Sequence, residues 1–385
     1  MFSSLTRQHP SLAGDTLFDV LRLTRTLNVG PVTFFQLIAR FGSAAAALEA
    51  LPELSIRGGR RNPLTASPKE MAHKELEEVE KFGARMIVYG APDYPLLLQA
   101  ITDPPPVITV SGHAHLWQQR DVVAMVGARN ASASGCQFAQ RLAKELGENG
   151  ITVASGLARG IDTFVHKGSL EAGTVAVIAG GIDNVYPPEN QPLYAQLRER
   201  GAIISEQAFG AVPYSGAFPG RNRIIAGMSL GTVVVEASPK SGSLITARFA
   251  LENNREVFAV PGSPLDPRSK GCNQLIRQGA TMLESVSDIM QGVAHLRNLS
   301  LGEGPRGDYT PDRASPTSEA ETSAARQLVV GKLGITPVSV DELIEQCDIS
   351  AAVALTILLE LELAGRLKRV AGNNVYLTEI REEIA

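Results

Sequence analysis

Four short segments combine glycine or serine with basic residues. VGARNASASG, from Val126, carries Gly127, Arg129, Asn130 and Ser132; SGLARGID carries Ser155, Gly156, Arg159 and Asp162. FPGRNR carries Arg221 and Arg223, and EASPKSGSLITA carries Lys240, Ser241, Gly242 and Ser243. Glycine lets backbone amides turn toward an anion, a helix start adds partial positive charge, and Arg or Lys adds fixed charge. Apolar runs precede these segments. If those runs are strands of one sheet, the segments share the rim beyond the strands' carboxyl ends, where open α/β sheets bind ligands. The implied chemistry is phosphate binding.

The kind of phosphate compound is narrowed by what is missing. No G-x-G-x-x-G opens the first helix and no G-x-x-x-x-G-K-[ST] occurs, which disfavours a dinucleotide cofactor and a P-loop ATPase. Asp162 and His166 fall four residues apart on one helix face. They could form an acid–base pair, but a helix-capping Asp and a His packed against the sheet is the expected arrangement. Cys136, Cys272 and Cys347 are far apart and lack CxxC spacing, so neither a disulfide framework nor a zinc site is expected. No metal and no cofactor is expected.

The elements that would position these segments follow from the apolar pattern. Val122–Val126, Ile151–Ala154, Val175–Ile178, Ala202–Ser205, Thr232–Val235 and Val257–Val260 read as strands. Helical stretches such as Cys136–Glu148, Gly160–Ala172 and Leu244–Asn253 lie between them. Short apolar strands alternating with helices predict a Rossmann-like, doubly wound parallel sheet of the α/β class. Arg85–Tyr89 and Val107–Val110 read as two strands extending it. Ahead of it, Asp15 is placed to cap a helix carrying Leu17, Val20 and Leu21, and Pro31 and Ser43 suit two further helix starts. This is a helix-hairpin-helix or SAM-like layout, but its turn carries no Lys or Arg, so a bundle that only packs is favoured over a DNA contact. After it, helices over Ser323–Leu333, Val340–Gln346 and Ser350–Ala364 and a hairpin turning at Gly372-Asn373-Asn374 form a winged helix. The expected domains are 1–83 (helical), 84–295 (Rossmann-like), 296–321 (a Gly-, Pro- and Ser-rich flexible linker) and 322–385 (winged helix).

Composition bounds the function. Of 385 residues 44% are hydrophobic and 20% charged, and mean hydropathy is +0.02, an ordinary globular balance. No apolar run is long enough for a membrane helix, and the start lacks the apolar core of a secretory signal, so a cytoplasmic protein without membrane contact is expected. Net charge is −4. Residues 117–290 carry 16 basic and 15 acidic side chains, net +1, and residues 322–385 carry 6 and 9, net −3. A polyanion site must therefore be a local pocket rather than a whole basic face.

SGLARGID, FPGRNRIIAGMS, SGSLITARFALENNREVFAVPGSPLDP and GCNQLIRQGA, in this order, resemble the DNA-processing protein A family (DprA, also called Smf) over most of residues 84–292. One departure is Cys272, where many relatives carry threonine of similar volume. The resemblance implies a non-enzymatic single-stranded DNA-binding protein of natural transformation. It would protect incoming strands and help load RecA recombinase, including onto DNA held by single-strand-binding protein. It also implies a DNA pocket using Arg159 and Lys240, with Ser155, Gly156, Ser241, Gly242 and Ser243 as donors and Arg129 and Arg221 as neighbouring contacts. The stretch with Leu275, Ile276, Met282 and Leu283 would serve a homodimer. Two other readings remain. A nucleotide hydrolase of the lysine-decarboxylase-like, cytokinin-activating type has a PGGxGTxxE signature, echoed here only in Gly231-Thr232 and Glu236. A duplex-reading regulator would need basic residues on Ser350–Ala364, which has none and carries Glu360 and Glu362.

Overall fold

The computed structural model describes residues 9–298, 319–370 and 373–378. Helices Val286–Asn298 and Glu319–Lys332 enter the expected linker from either side; its centre, and Gly372 of the expected turn, lie outside the described residues. The described chain divides into two compact units. One falls within residues 74–306, and the other combines residues 9–73 with residues of the 307–385 stretch.

The first unit is built on a nine-stranded sheet. Its strands are β1 (Arg85–Val88), β2 (Val107–Gly112), β3 (Val122–Val126), β4 (Thr152–Ser155), β5 (Thr174–Ile178), β6 (Ala202–Ser205), β7 (Gly231–Val234), β8 (Glu256–Ala259) and β9 (Thr281–Met282). The order is β1-β2-β6-β5-β4-β3-β7-β8-β9. β1 and β2 run antiparallel at one edge, and the strands from β6 to β9 are parallel. Both faces of the central strands are buried, which is why they read as unbroken apolar runs. The chain steps from β3 outward to β6, then crosses back to place β7 on the other side of β3. The resulting switch point between β3 and β7 is where a doubly wound sheet opens a crevice.

Two sequence expectations change here. FPGRNR, placed by the sequence among rim segments that follow strands and rich enough in Pro and Gly to suggest a loop, lies in the helix Ala217–Gly227. Pro219 falls in the first turn of that helix, where a missing N–H costs nothing, so the Pro-Gly pair does not break it. The two-residue strand β9 at the far edge has no apolar pattern to announce it.

The second unit opens with helices Leu17–Thr24, Pro31–Phe41 and Ala44–Arg57. The expected cap Asp15 is displaced by Thr16, whose hydroxyl accepts from Asp19 N; Asp15 Oδ1 instead accepts from Ala44 N at 2.8 Å. Asp15 therefore ties the first helix to the third. The winged part has helices Glu319–Lys332, Val340–Cys347 and Ala351–Leu363, with strands β10 (Val338–Ser339), β11 (Leu367–Val370) and β12 (Asn374–Leu377) in the antiparallel order β10-β12-β11. Val329, Leu343, Ile357, Leu358, Leu361 and Val375 form its core.

The helix Ala351–Leu363 is apolar nearly all round, and such a helix must be covered on more than one side. One side faces the winged core and another packs on Ala44–Arg57. A side chain at Gly58 would have no room: a Cβ there would sit 1.9 Å from Glu360 O and 2.9 Å from Ala364 Cβ. Asn28 Nδ2 donates to Leu363 O at 3.3 Å, and Arg366 Nη1 donates to Gly58 O at 3.2 Å. Buried Glu360 is neutralised by Arg326. The exposed start of the helix presents Ala351, Ala352 and Leu355, none of which can donate to a base edge.

This packing has a measurable consequence. Gly58→Ala is expected to lower the melting temperature by overpacking the joint, at a cost of about 1–3 kcal/mol. Gly331→Ala, on an exposed helix position with open space around it, is expected to hold or raise it. Calorimetry of the two variants checks the pair; equal melting temperatures would show that the joint is loose.

Candidate functional site

The loops after β3 and β7 border one groove at the switch point. Gly127, Arg129 and Asn130 line it from the first loop, Ser238 and Ser241 from the second, and Arg268 from a third segment. The loops are tied across the groove. Glu236 accepts from Ser132 N at 2.9 Å and from Ser132 Oγ at 2.5 Å, while Ser132 Oγ also caps the helix Ala133–Glu148 by accepting from Gly135 N. The SGLARGID loop folds onto the first loop: Ile161 N donates to Ala128 O, and Gly160, at φ 72°, leaves no space for a Cβ, which would lie 2.3 Å from Ala128 O.

Arg221 is the buried charge of the site. It reaches from the helix Ala217–Gly227, and its Nη1 donates to Val177 O at 3.0 Å. Its path depends on Gly156, where a Cβ would lie 1.6 Å from that nitrogen. Asp162 lies against it and accepts from Ala158 N at 3.3 Å. Burial lowers the Arg221 pKa to about 10, with Asp162 opposing, so the guanidinium stays charged at neutral pH. Burial likewise raises the Asp162 carboxyl, and Arg221 opposes that. Arg221 Nε is buried with no acceptor among the described residues, and the residue lines the groove.

Of the other residues expected from the sequence, Arg129 is exposed and its guanidinium lies 4.9 Å from the Phe218 ring centre. Ser241, Gly242 and Ser243 form the start of the helix Ser243–Glu252, whose N-cap is Gly242; Ser243 N donates to Ser241 Oγ at 3.4 Å, Leu244 N and Ile245 N donate to the Ser241 and Gly242 carbonyls, and Ser241 and Ser243 share a 2.6 Å hydroxyl contact. Lys240 is exposed next to them. Arg159 lies at the smaller recess beside the groove and pairs with Glu189, which raises the Arg159 pKa and lowers that of Glu189. Ser155 does not face the groove: it is fully buried and donates to Met125 O at 2.7 Å, joining β4 to β3. Its direction is set by strand alternation, which its place in a glycine-rich motif does not reveal. Arg223 points away from the groove, to Glu206 at 2.5 Å and Asp103 at 3.4 Å.

Sequence reasoning missed three groups. Phe218 lines the groove with Arg129 and Arg221 against its ring, at 4.9 and 6.0 Å. Tyr186, 45% exposed, stands 5.7 Å from Phe218. Arg268 also lines the groove, held by Asp266 at 2.8 Å. The phenylalanine was within view in FPGRNR, but the two others have no local signal. The expected interface residues separate: Leu275 and Ile276 are half-buried and Met282 is 49% exposed, but Leu283 is fully buried in the core. Leu283 follows edge strand β9 and points inward by alternation, so it is not available to a partner. Cys272 is buried and its thiol is pushed up to about 12, which makes it inert.

A model for the DNA recombination-mediator protein A family matches residues 85–294; models for a DprA-like N-terminal HHH domain and a DprA winged helix domain match 14–77 and 313–373. The chain is 35% identical to the Smf protein of Escherichia coli over 336 residues, 84% of this chain and 85% of that protein. Among solved structures, DprA from Streptococcus pneumoniae aligns with a TM-score of 0.63 and 31% identity, over 72% of this chain and 97% of that one. DprA from Helicobacter pylori, described for its single-stranded DNA binding mode, aligns with a TM-score of 0.50 and 26% identity, over 56% and 95%. Across seven curated relatives the chain spans 58% to 86% of the relative's own length.

His166 is packed into the fold, as the sequence led one to expect, rather than poised for acid–base work. It is fully buried, and its Nδ1 lies 2.9 Å from Thr174 Oγ1. That hydroxyl gives its proton to Val153 O, so Nδ1 donates and Nε2 is bare. Burial, then the Arg221 charge, lowers its pKa to about 3. The neutral ring stabilises the fold fully above the unfolded value near 6.5, and that stability is lost as pH falls toward about 3. The side-chain NMR signals of His166 are expected to stay flat from pH 8 to 4; a midpoint near 6.5 would contradict the buried neutral assignment.

Proposed function

The chain belongs to the DNA recombination-mediator protein A family, and on that footing we propose that it binds single-stranded DNA in the groove at the β3–β7 switch point. Its role would be to protect incoming strands and help load RecA recombinase during natural transformation. The observation that carries the reading is the meeting of Arg129, Arg221 and Arg268 with the Phe218 and Tyr186 rings in one groove. A single strand presents phosphates and unstacked bases together. Arginines suit the phosphates, and aromatic rings suit any base, so little sequence preference is expected. The exposed apolar start of Ala351–Leu363 argues against duplex reading. The hydrolase alternative is less well supported, since the carboxylate of Glu236 is engaged by Ser132 and His166 is buried. Acceptance of strands from single-strand-binding protein belongs to the same reading.

A homodimer is part of the proposal. Leu275, Ile276 and Met282 stay at least partly accessible on the helix Lys270–Arg277 and edge strand β9. A two-fold pair of subunits would set two grooves along one strand, and linked sites gain affinity through effective concentration.

Fluorescence anisotropy with matched single- and double-stranded oligonucleotides across a salt series tests the binding. Single strands are expected to bind tighter, with log K falling by about 0.7 per phosphate contacted per decade of salt. Arg129→Ala and Lys240→Ala are each expected to weaken binding tenfold or so, in line with the roughly 1.5–3 kcal/mol of a charge-assisted hydrogen bond. Unchanged affinity in the folded double variant would place the site elsewhere. For the dimer, Ile276→Asp is expected to sediment as a folded monomer with weaker hold on long oligonucleotides. A wild-type monomer at tens of micromolar would remove that part of the proposal.

A further inference from the structure

Two short basic runs lie at opposite ends of the chain, RGGRR at Arg57–Arg61 and RLKR at Arg366–Arg369. Neither is notable by itself, and the winged part carries net −3 over residues 322–385. The fold brings them together. Gly58 lies against Glu360 O and Ala364, and a Cβ on Gly59 would sit 2.6 Å from Arg366 Nη1. Arg366 donates to Gly58 O, so the two runs touch through the Gly-Gly step. Arg57 is matched by Glu53 and Arg369 by Glu362. Among the described residues no carboxylate pairs with Arg61, Arg366 or Lys368, and Arg61 and Lys368 are exposed. Glu360, the other acid of that helix end, is buried and spent on Arg326.

We propose that this joint is a second binding site for the phosphodiester backbone of DNA, built from Arg61, Arg366 and Lys368 and completed only when the two chain ends are docked. Arg366 is held in place by the Gly58 carbonyl, and the two flanking charges are free to follow a polyanion. The site offers point charges and no array of base-reading donors, so it would position a strand without specifying its sequence. It gives the winged part a contact with DNA through its wing rather than its third helix. The proposal does not depend on the groove at the switch point.

The experiment uses the full chain with Arg61→Glu and Lys368→Glu together. Both side chains are exposed, so folding is expected to be kept, and circular dichroism verifies it. Anisotropy is measured with a 10-nucleotide strand, a 60-nucleotide strand and a 60-base-pair duplex between 50 and 300 mM salt. The same reversal is repeated in a chain carrying Arg129→Ala and Lys240→Ala. The expected result is an unchanged affinity for the short strand and a loss of about tenfold on one or both long substrates. With two phosphates no longer neutralised, the salt slope should shrink by about 1.4 on the single strand or about 1.8 on the duplex. Whichever long substrate loses slope identifies the strand form bound. In the groove-disabled chain the reversal should remove most of the remaining binding, and Arg61→Lys with Lys368→Arg should restore it. Unchanged slopes on both long substrates, in either background, would overturn the proposal. Failure of the groove variants to weaken the short strand would count against the groove alone.

Discussion

A buried arginine needs space, a counter-charge and acceptors, and at Arg221 each comes from a different element. Gly156 at the end of β4 leaves the space, Asp162 in the next helix supplies the charge, and Val177 in β5 accepts a hydrogen bond. The arginine itself belongs to the helix Ala217–Gly227. One side chain therefore locks β4, β5 and two helices into a fixed relation beneath the groove. Removing a single partner of such a buried pair typically costs about 3–5 kcal/mol, because the other charge is left uncompensated. The same junction explains why His166 is neutral, since it sits in that dry region beside the guanidinium.

The second unit obeys a different constraint. An apolar helix, Ala351–Leu363, has more surface to hide than the winged core can cover, and the helix Ala44–Arg57 covers part of the remainder. The chain ends are thereby held together through a contact that tolerates no side chain at Gly58. Docking uses the part of the winged fold that in other proteins reads a major groove, and it leaves the wing, with Lys368, at the surface.

Much of this was legible in the residues. The strands β3 and β6 stand where their apolar runs lie, and the rim segments do meet at the switch point, because burial on both faces and glycine at strand ends are strong local signals. What could not be read depends on direction and distance. Ser155 sits in a phosphate-suited motif, yet alternation turns its hydroxyl to Met125. Arg159 finds Glu189 thirty positions on, in a segment with no periodicity to reveal it. FPGRNR looks like a loop by composition but is helical, because its proline falls in a first turn. Glu360 looked like a repellent on a recognition helix, and is instead a buried partner of Arg326.

In the proposed complex a single strand would lie in the groove lined by Arg129 and Arg268, with bases against Phe218 and Tyr186. Photocrosslinking tests it most directly. A short oligothymidylate with 5-iodouracil at successive positions is irradiated with the full chain, and the adducts are mapped by mass spectrometry. Adducts concentrated on Phe218 and Tyr186, and suppressed by Arg129→Ala, are the expected result. Adducts spread over other aromatic residues, with none on these two, would contradict it.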